Sequence, residues 1–453
     1  MSDWEITPAS YLKGAIEVPG DKSISHRLAM LCGLAEGQST ITGFLMSEDC
    51  LNTLEAVKQL GAEVVGSLQP TADSKSGEIR ITGVGGQFKK PDGMLDMGNS
   101  GTGMRLMSGL LAWQPFDSGM TGDESLCSRP MDRVKAPLEH MGAEITLQDD
   151  GCAPMTIHGK ALNGIEYELP VASAQVKSCV LLAGLGAKGD TIVIEPRETR
   201  DHTERLLLAM GADLRSQRSE ARGQEGYGRI TLKGGSKLQG GGDWNVPGDI
   251  SSASFWIAAA ACMDGAELKV TNVGLNPRRT AILDVLKRMG ADIEWTTGNG
   301  QRTTDHGVWE EVGDVTVRGA SLTGTVIEGD EIPNLIDELP IAAVVGALAE
   351  GETIIKDAKE LRVKESDRIS TVVAGLKAFG VEVEEKQDGM IVKGGSPITG
   401  GCEIDSCGDH RIAMSMAVLG LFSDAPVSIQ NVDCVDTSYP GFYSHMKELT
   451  ADE

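Results

Sequence analysis

The cations of this chain collect where a helix tolerates them least. In VPGDKSISHR (18–27) an apolar strand end passes through a Pro-Gly turn, and Asp21, Lys22, Ser23, Ser25, His26 and Arg27 then crowd the first turn of an apolar helix. A helix N-terminus already carries partial positive charge and unpaired N–H groups, so Lys and Arg are unfavourable there unless something negative offsets them. A phosphate or carboxylate would, because N–H donors, the Ser23 and Ser25 hydroxyls and two cations could converge on its oxygens. The plainer alternative is a helix capped by Asp21 or Ser23 whose cations point to water. The same placement recurs at GNSGTGMR (98–105), SAQVKS (173–178), GDISSAS (248–254), NLIDELP (334–340) and GDHR (408–411), and at SEDC, SRPMDR, TRDHTER, PRRT and KESDR before more amphipathic helices. Arg27, Arg105, Arg129, Arg200, Lys364, Arg368 and Arg411 therefore favour several helix N-termini facing one anionic ligand, or a pair, over scattered surface charge.

Within these segments the residue types suggest roles. Gly98, Gly101 and Gly103 bracket Asn99, Ser100 and Thr102 and would let backbone N–H groups approach a ligand; with no GK[ST] and no G-x-G-x-x-G, the loop is not a nucleotide motif. Asp337 and Glu338 precede an apolar helix as caps or as acids. Lys364 and Glu365 set a cation and an acid where both could work on one reacting group, or form a surface ion pair. His26, His202 and His410, each beside a cation, read as hydrogen-bonding supports.

The elements that carry these residues repeat. KQLGAEV (58–64), EHMGAEI (139–145), LAMGADL (208–214), KRMGADI (287–293) and KAFGVEV (377–383) each end a helix in a glycine turn that leads into a short strand. Between them lie six helices that are apolar nearly all round, from SHRLAMLCGLA to HRIAMSMAVLG, and the chain ends in PGFYSHMKEL (440–449). The sequence predicts six α/β modules of roughly 75 residues, each with one buried and one amphipathic helix on a small sheet. Three modules make a domain. The predicted domains are 21–243, and 1–20 plus 244–453, the second completed by the N-terminal strand, with the boundary at GGSKLQGGGDW (234–244).

Composition bounds the partners. A net charge of −25 works against nucleic acid and anionic membrane, and aromatics at 4% do not make stacking platforms for bases. Nine scattered cysteines without C-x-x-C imply reduced thiols and no structural metal. With neither a leader nor an apolar run of about 18 residues, a cytoplasmic protein is expected.

DKSISHR, LDMGNSGTGMR (95–105), SRPM, SAQVKS, RVKESDR (362–368) and GDHRIAMS (408–415), in order along the whole chain, resemble the signature segments of the EPSP synthase family. The resemblance implies transfer of enolpyruvyl from phosphoenolpyruvate to the 5-hydroxyl of shikimate 3-phosphate. It also implies two domains, each of three βαβαββ modules with buried helices and outer sheets, a site in the interdomain cleft that domain closure completes, no cofactor and a monomer. Carried over by residue, it gives shikimate 3-phosphate Lys22, Ser23, Arg27, Ser173, Ala174, Gln175 and Arg200, with Asp337 and Lys364 near the reacting hydroxyl. It gives phosphoenolpyruvate Lys22, Gly101, Arg129, Gln175, Arg368 and Arg411. Asp337 is assigned as the base, Glu365 as the proton source and Lys22 as an electrostatic or acid/base partner; the acid and base labels are interchangeable among them.

Some positions depart from the family's commonest pattern. Ser100 and Gly103 stand where many members have Ala, Leu106 where many have Pro, and Thr437 near a position where some carry Lys. The sister transferase acting on UDP-N-acetylglucosamine uses a loop Cys, but Cys127 stands at the wrong distance from Arg129-Pro130. A clamp of repeated modules around DNA would need Lys/Arg stripes, whereas these cations sit beside Ser, Gln and Asp.

Overall fold

The computed structural model describes residues 2–66, 77–218, 228–297, 302–304 and 307–451. The six apolar segments form the helices Lys22–Leu34, Gly101–Leu111, Ala174–Gly184, Ile250–Cys262, Leu339–Leu348 and His410–Gly420. They are sheathed on all sides, and every residue from Ile250 to Ala261 is buried. At their starts, polar side chains meet the open N–H groups. Asp21 accepts from Ile24 at 2.8 Å, Ser100 from Gly103 at 2.9 Å, Asp249 from Ser251 at 2.9 Å and Asp409 from Arg411 at 2.9 Å. The companion helices are amphipathic: Ala281–Arg288 buries Ile282, Leu283, Val285 and Leu286 and exposes Asp284, Lys287 and Arg288.

Five of the six modules close with a small four-stranded sheet of constant order. A strand parallel to its neighbour comes first, then the strand that follows the buried helix, then two antiparallel strands. Leu95–Asp96, Asp117–Thr121, Met155–His158 and Glu144–Thr146 follow that order, as do Val326–Ile327, Gly351–Ile355, Gly389–Gly394 and Glu382–Lys386. In Asp190–Glu195 Thr191, Val193 and Glu195 are buried and their neighbours are not, as a sheet with one covered face requires. Gly109 has a steric reason. A Cβ there would stand 2.2 Å from the Cys179 carbonyl oxygen, so only glycine lets the helices Gly101–Leu111 and Ala174–Gly184 approach this closely.

The chain falls into two compact bodies: Gly20–Val246 with Arg302–Glu310, and Met1–Pro19 with Pro247–Gln301 and Glu311–Glu453. Each has its own apolar core. In the second body, Lys13–Ile16 runs parallel to Glu267–Gly274, and Trp4–Ile6 is antiparallel to Val427–Gln430. The chain leaves the first body after Val246 rather than 243, because Gly242–Asn245 still pairs in parallel with Gln38–Phe44. Residues 302–310, expected with their sequence neighbours, group with the first body. There Trp309 meets Trp244 edge-on at 5.6 Å, and Glu310 faces His202 at 3.3 Å. No described helix is long and apolar enough to cross a membrane.

Candidate active site

In the first body the N-termini of three buried helices and two amphipathic helices are laced together. Lys22 pairs with Asp49, which enters from the helix Glu48–Gln59. Ser23 is partly exposed beside it, and its carbonyl accepts from Arg27 at 2.9 Å. Arg27 is 3% exposed. Its Nε donates to Thr203 Oγ1 at 2.7 Å and an Nη to Ser178 Oγ at 3.0 Å, joining the helices Lys22–Leu34, Ala174–Gly184 and His202–Ala209. Ser173 caps its helix on Val176, with Ala174 and Gln175 partly exposed at the same N-terminus. Gln175 accepts from Arg105 at 2.9 Å and donates to Thr102 at 3.0 Å.

Gly101 opens onto two guanidinium groups. A Cβ there would lie 2.9 Å from Arg105 Nη1 and 3.4 Å from Arg129 Nη1. Arg129 in turn donates to the Asn99 side chain at 2.6 Å and to Ser125 Oγ at 3.0 Å. A glycine loop with two buried guanidiniums beside it suits a small anion. Arg200 lies part-exposed on a loop pinned from below. The wholly buried Lys177 ammonium meets Glu195 at 2.9 Å, Glu204 at 2.7 Å and the Thr199 carbonyl at 3.3 Å. Burial alone would lower its pKa, but Glu204 and Glu195 outweigh it and hold the ammonium charged.

In the second body the knot is acidic. Arg368, 1% exposed, donates through Nε to Asp409 at 2.7 Å and through Nη2 to the other Asp409 oxygen at 3.2 Å. It also reaches Glu365 at 2.5 Å and Asp337 Oδ1 at 3.2 Å. Lys364 stands 3.4 Å from the same Asp337 oxygen. Burial opposes the Arg368 charge, yet Asp409, Glu365 and Asp337 outweigh it and push its pKa further up. Arg411 donates to the Asp337 carbonyl at 2.8 Å and lies 3.6 Å from Glu338, which accepts from Ser251. Ser251 accepts from Arg279 at 2.7 Å. The arrangement can hold two carboxylates and a lysine around one reacting group, the requirement for paired proton transfers.

The residues singled out in the sequence thus assemble within each body: Lys22, Ser23, Arg27, Gly101, Arg129, Ser173, Ala174, Gln175 and Arg200 in the first, Asp337, Lys364, Glu365, Arg368 and Arg411 in the second. The sequence reading missed their partners Asp49, Thr203, Ser178, Lys177 and Asp409. The signal for Asp49 and Asp409 lay in SEDC and GDHR, where an acid begins a helix. Cys127 donates to the Gly122 carbonyl at 3.4 Å, within its own turn. Among the described residues no group of three His, Cys, Asp or Glu side chains is placed to hold a metal ion.

The profile of the family EPSP synthase (3-phosphoshikimate 1-carboxyvinyltransferase) matches residues 6–446. The chain is 50% identical over 436 residues to the 3-phosphoshikimate 1-carboxyvinyltransferase of Akkermansia muciniphila, covering 96% of each chain. It is 47% identical to that of Desulforamulus reducens, covering 99% of each. It superposes on the EPSP synthase of Acinetobacter baumannii with a TM-score of 0.82 at 44% identity, covering 99% of this chain and 98% of that one. The chain belongs to the EPSP synthase family.

Proposed function

We propose that this enolpyruvyl transferase joins phosphoenolpyruvate to the 5-hydroxyl of shikimate 3-phosphate by addition and then elimination. Lys22, Ser23, Arg27, Ser173, Ala174, Gln175 and Arg200 serve the shikimate 3-phosphate. Lys22, Gly101, Arg129, Gln175, Arg368 and Arg411 serve the phosphoenolpyruvate. In the addition, Glu365 gives a proton to the methylene carbon while the 5-hydroxyl oxygen bonds to the neighbouring carbon and passes its proton to Asp337. In the elimination, the new methyl returns a proton to Glu365, the carbon–oxygen bond to phosphate breaks and the double bond re-forms; Asp337 gives its proton to the departing phosphate. Every proton is returned, so the enzyme ends as it began. Lys22 and the guanidiniums stabilise the negative charge of both substrates and of the tetrahedral intermediate.

One observation supports this reading most strongly: Asp337 and Glu365 are held on a single buried guanidinium, with Lys364 on the same Asp337 oxygen. Two acids fixed beside one another can exchange protons with adjacent atoms of a bound intermediate. The test is phosphate release from shikimate 3-phosphate and phosphoenolpyruvate, with each omitted in turn. Release is expected to need both and to fall by about 10³-fold or more in Asp337→Ala, the size of a lost acid–base group. Undiminished release in that variant, or turnover with one substrate alone, would overturn the proposal.

A further inference from the structure

His26 is wholly buried behind the phosphoenolpyruvate loop, and its two ring nitrogens have different partners. Nδ1 is 2.8 Å from Thr53 Oγ1, and Nε2 is 3.2 Å from Ser100 Oγ. We propose that His26 is a positioning residue of the transfer reaction: by bridging Thr53 and Ser100 it fixes the Gly101 loop relative to Lys22. The inference rests on the preceding reading in one respect, that Gly101, Arg129 and Lys22 serve phosphoenolpyruvate.

With the ring kept neutral by burial beside Lys22 and Arg27, the donors and acceptors leave one assignment that satisfies every contact. Thr53 gives its own hydrogen to the Asp49 carbonyl at 3.2 Å, so its oxygen accepts from Nδ1–H. Nε2 then carries no proton and accepts from the Ser100 hydroxyl, whose oxygen is left to accept from the Gly103 N–H at 2.9 Å. The neutral imidazole thus donates on one side and accepts on the other. The bridge runs from Lys22 to its partner Asp49, along the turn to Thr53, through His26 to Ser100, and so to the first residue of the Gly101 helix.

The packing leaves this bridge no slack. A Cβ on Gly103 would lie 2.8 Å from Met97 Cε, 3.0 Å from Ser100 Oγ and 3.1 Å from Thr53 Oγ1, and one on Gly98 would strike Asn52 Nδ2 at 2.0 Å. Asn52 and Thr53 thus form a ledge under both ends of the loop. Ser100 and Gly103 belong to one device: the serine hydroxyl takes up the imidazole, and glycine at 103 leaves room for that hydroxyl. A loop released from His26 would carry Gly101 away from the Arg105 and Arg129 groups it faces.

The test is steady-state kinetics in both substrates for His26→Ala, His26→Gln, Ser100→Ala and the double variant His26→Ala with Ser100→Ala. Arg129→Ala is the reference for the binding site. His26→Ala and Ser100→Ala should each raise the KM for phosphoenolpyruvate about tenfold, the scale of a sub-ångström misplacement, while the KM for shikimate 3-phosphate stays within about twofold. The double variant should be no worse than either single one. His26→Gln, whose amide can donate to Thr53 and accept from Ser100, should recover most of the loss. Additive effects, equal shifts in both KM values, or a glutamine no better than alanine would overturn the proposal. Should His26→Ala fail to fold, Ser100→Ala and His26→Gln still decide the matter. If Arg129→Ala leaves the phosphoenolpyruvate KM unchanged, the binding-site reading fails; if it raises that KM and the bridge variants do not, the positioning role alone fails.

Discussion

A single buried guanidinium sets the acidic half of the site. Arg368 spends its donors on Asp409, Glu365 and Asp337, and a lysine there could offer only one compact ammonium in place of the fork. Arg368→Lys should therefore fold but lose about 10²-fold in kcat, because neither carboxylate is held in register. Arg368→Gln leaves Asp409, wholly buried, without its cation, and should cost about 3–5 kcal/mol in urea unfolding. A smaller loss in that unfolding midpoint would mean that the three carboxylates relax into water. His26 makes a second prediction. Its folded pKa lies well below 6.5, with burial the main cause and Lys22 and Arg27 adding to it. The unfolded chain thus binds a proton that the folded chain refuses. The contribution of the neutral imidazole is full above pH 6.5 and is lost as pH falls below it, by up to about 1.4 kcal/mol per pH unit. Between pH 6.5 and 5, His26→Gln should show a flatter stability curve than the parent; identical slopes would rule the histidine out as the cause. Lys22, Gly101 and Arg368 were visible in the sequence because a cation or a glycine-rich turn at a helix start stands out on its face, whereas Gln175 came only with the family resemblance. Their partners were hidden, since Arg27 finds Thr203 across 176 positions and Ser178 across 151.

At the level of elements, the repeat was legible because each signal is local: an apolar helix, a glycine turn, an alternating strand. What holds one repeat to the next was not. Nothing in SAQVKS tells that Lys177 turns inward while Gln175 stays at the surface, yet Lys177 ties the helix Ala174–Gly184 to the loop that presents Arg200. Lys177→Met removes the ammonium that meets Glu195 and Glu204 in this buried clasp and should cost about 3–5 kcal/mol. Replacing all three by apolar residues of similar volume should return most of that stability, since the desolvation of three charges disappears as well. It should not return the Arg200 loop. A raised KM for shikimate 3-phosphate that persists in the stabilised triple variant is the expected result; a normal KM would show that the loop holds its shape without the clasp. The folded pKa of Lys177 is raised above 10.5, so its contribution is intact below that pH and is lost only as pH climbs through the folded value.

Over the whole molecule, chain order and spatial order part company, and that too was only half readable. The chain changes body after Val246, and the pairing of Gly242–Asn245 with Gln38–Phe44 that holds it in the first body until then depends on partners some 200 residues away and leaves no local trace. The two chain ends meet in the second body. Trp4 stacks on Phe442 at 5.5 Å and on Tyr443 at 5.3 Å, Phe442 stacks on Trp256 at 4.6 Å, and the Tyr443 hydroxyl donates to the Glu5 carbonyl at 2.9 Å. Trp4–Ile6 also supplies the third strand of the sheet formed with Val427–Gln430 and Glu403–Asp405, where the other modules have four. Trp4→Ala should therefore cost about 2 kcal/mol, from lost apolar area and two ring contacts. Because each body has its own core, the loss should stay local. Hydrogen exchange should rise in Val427–Gln430 and Phe442–Thr450 and remain unchanged in Gly101–Leu111. Equal acceleration in Gly101–Leu111 would show instead that the two bodies open as one cooperative unit, so that a strand at the N-terminus stabilises the glycine loop through global unfolding alone.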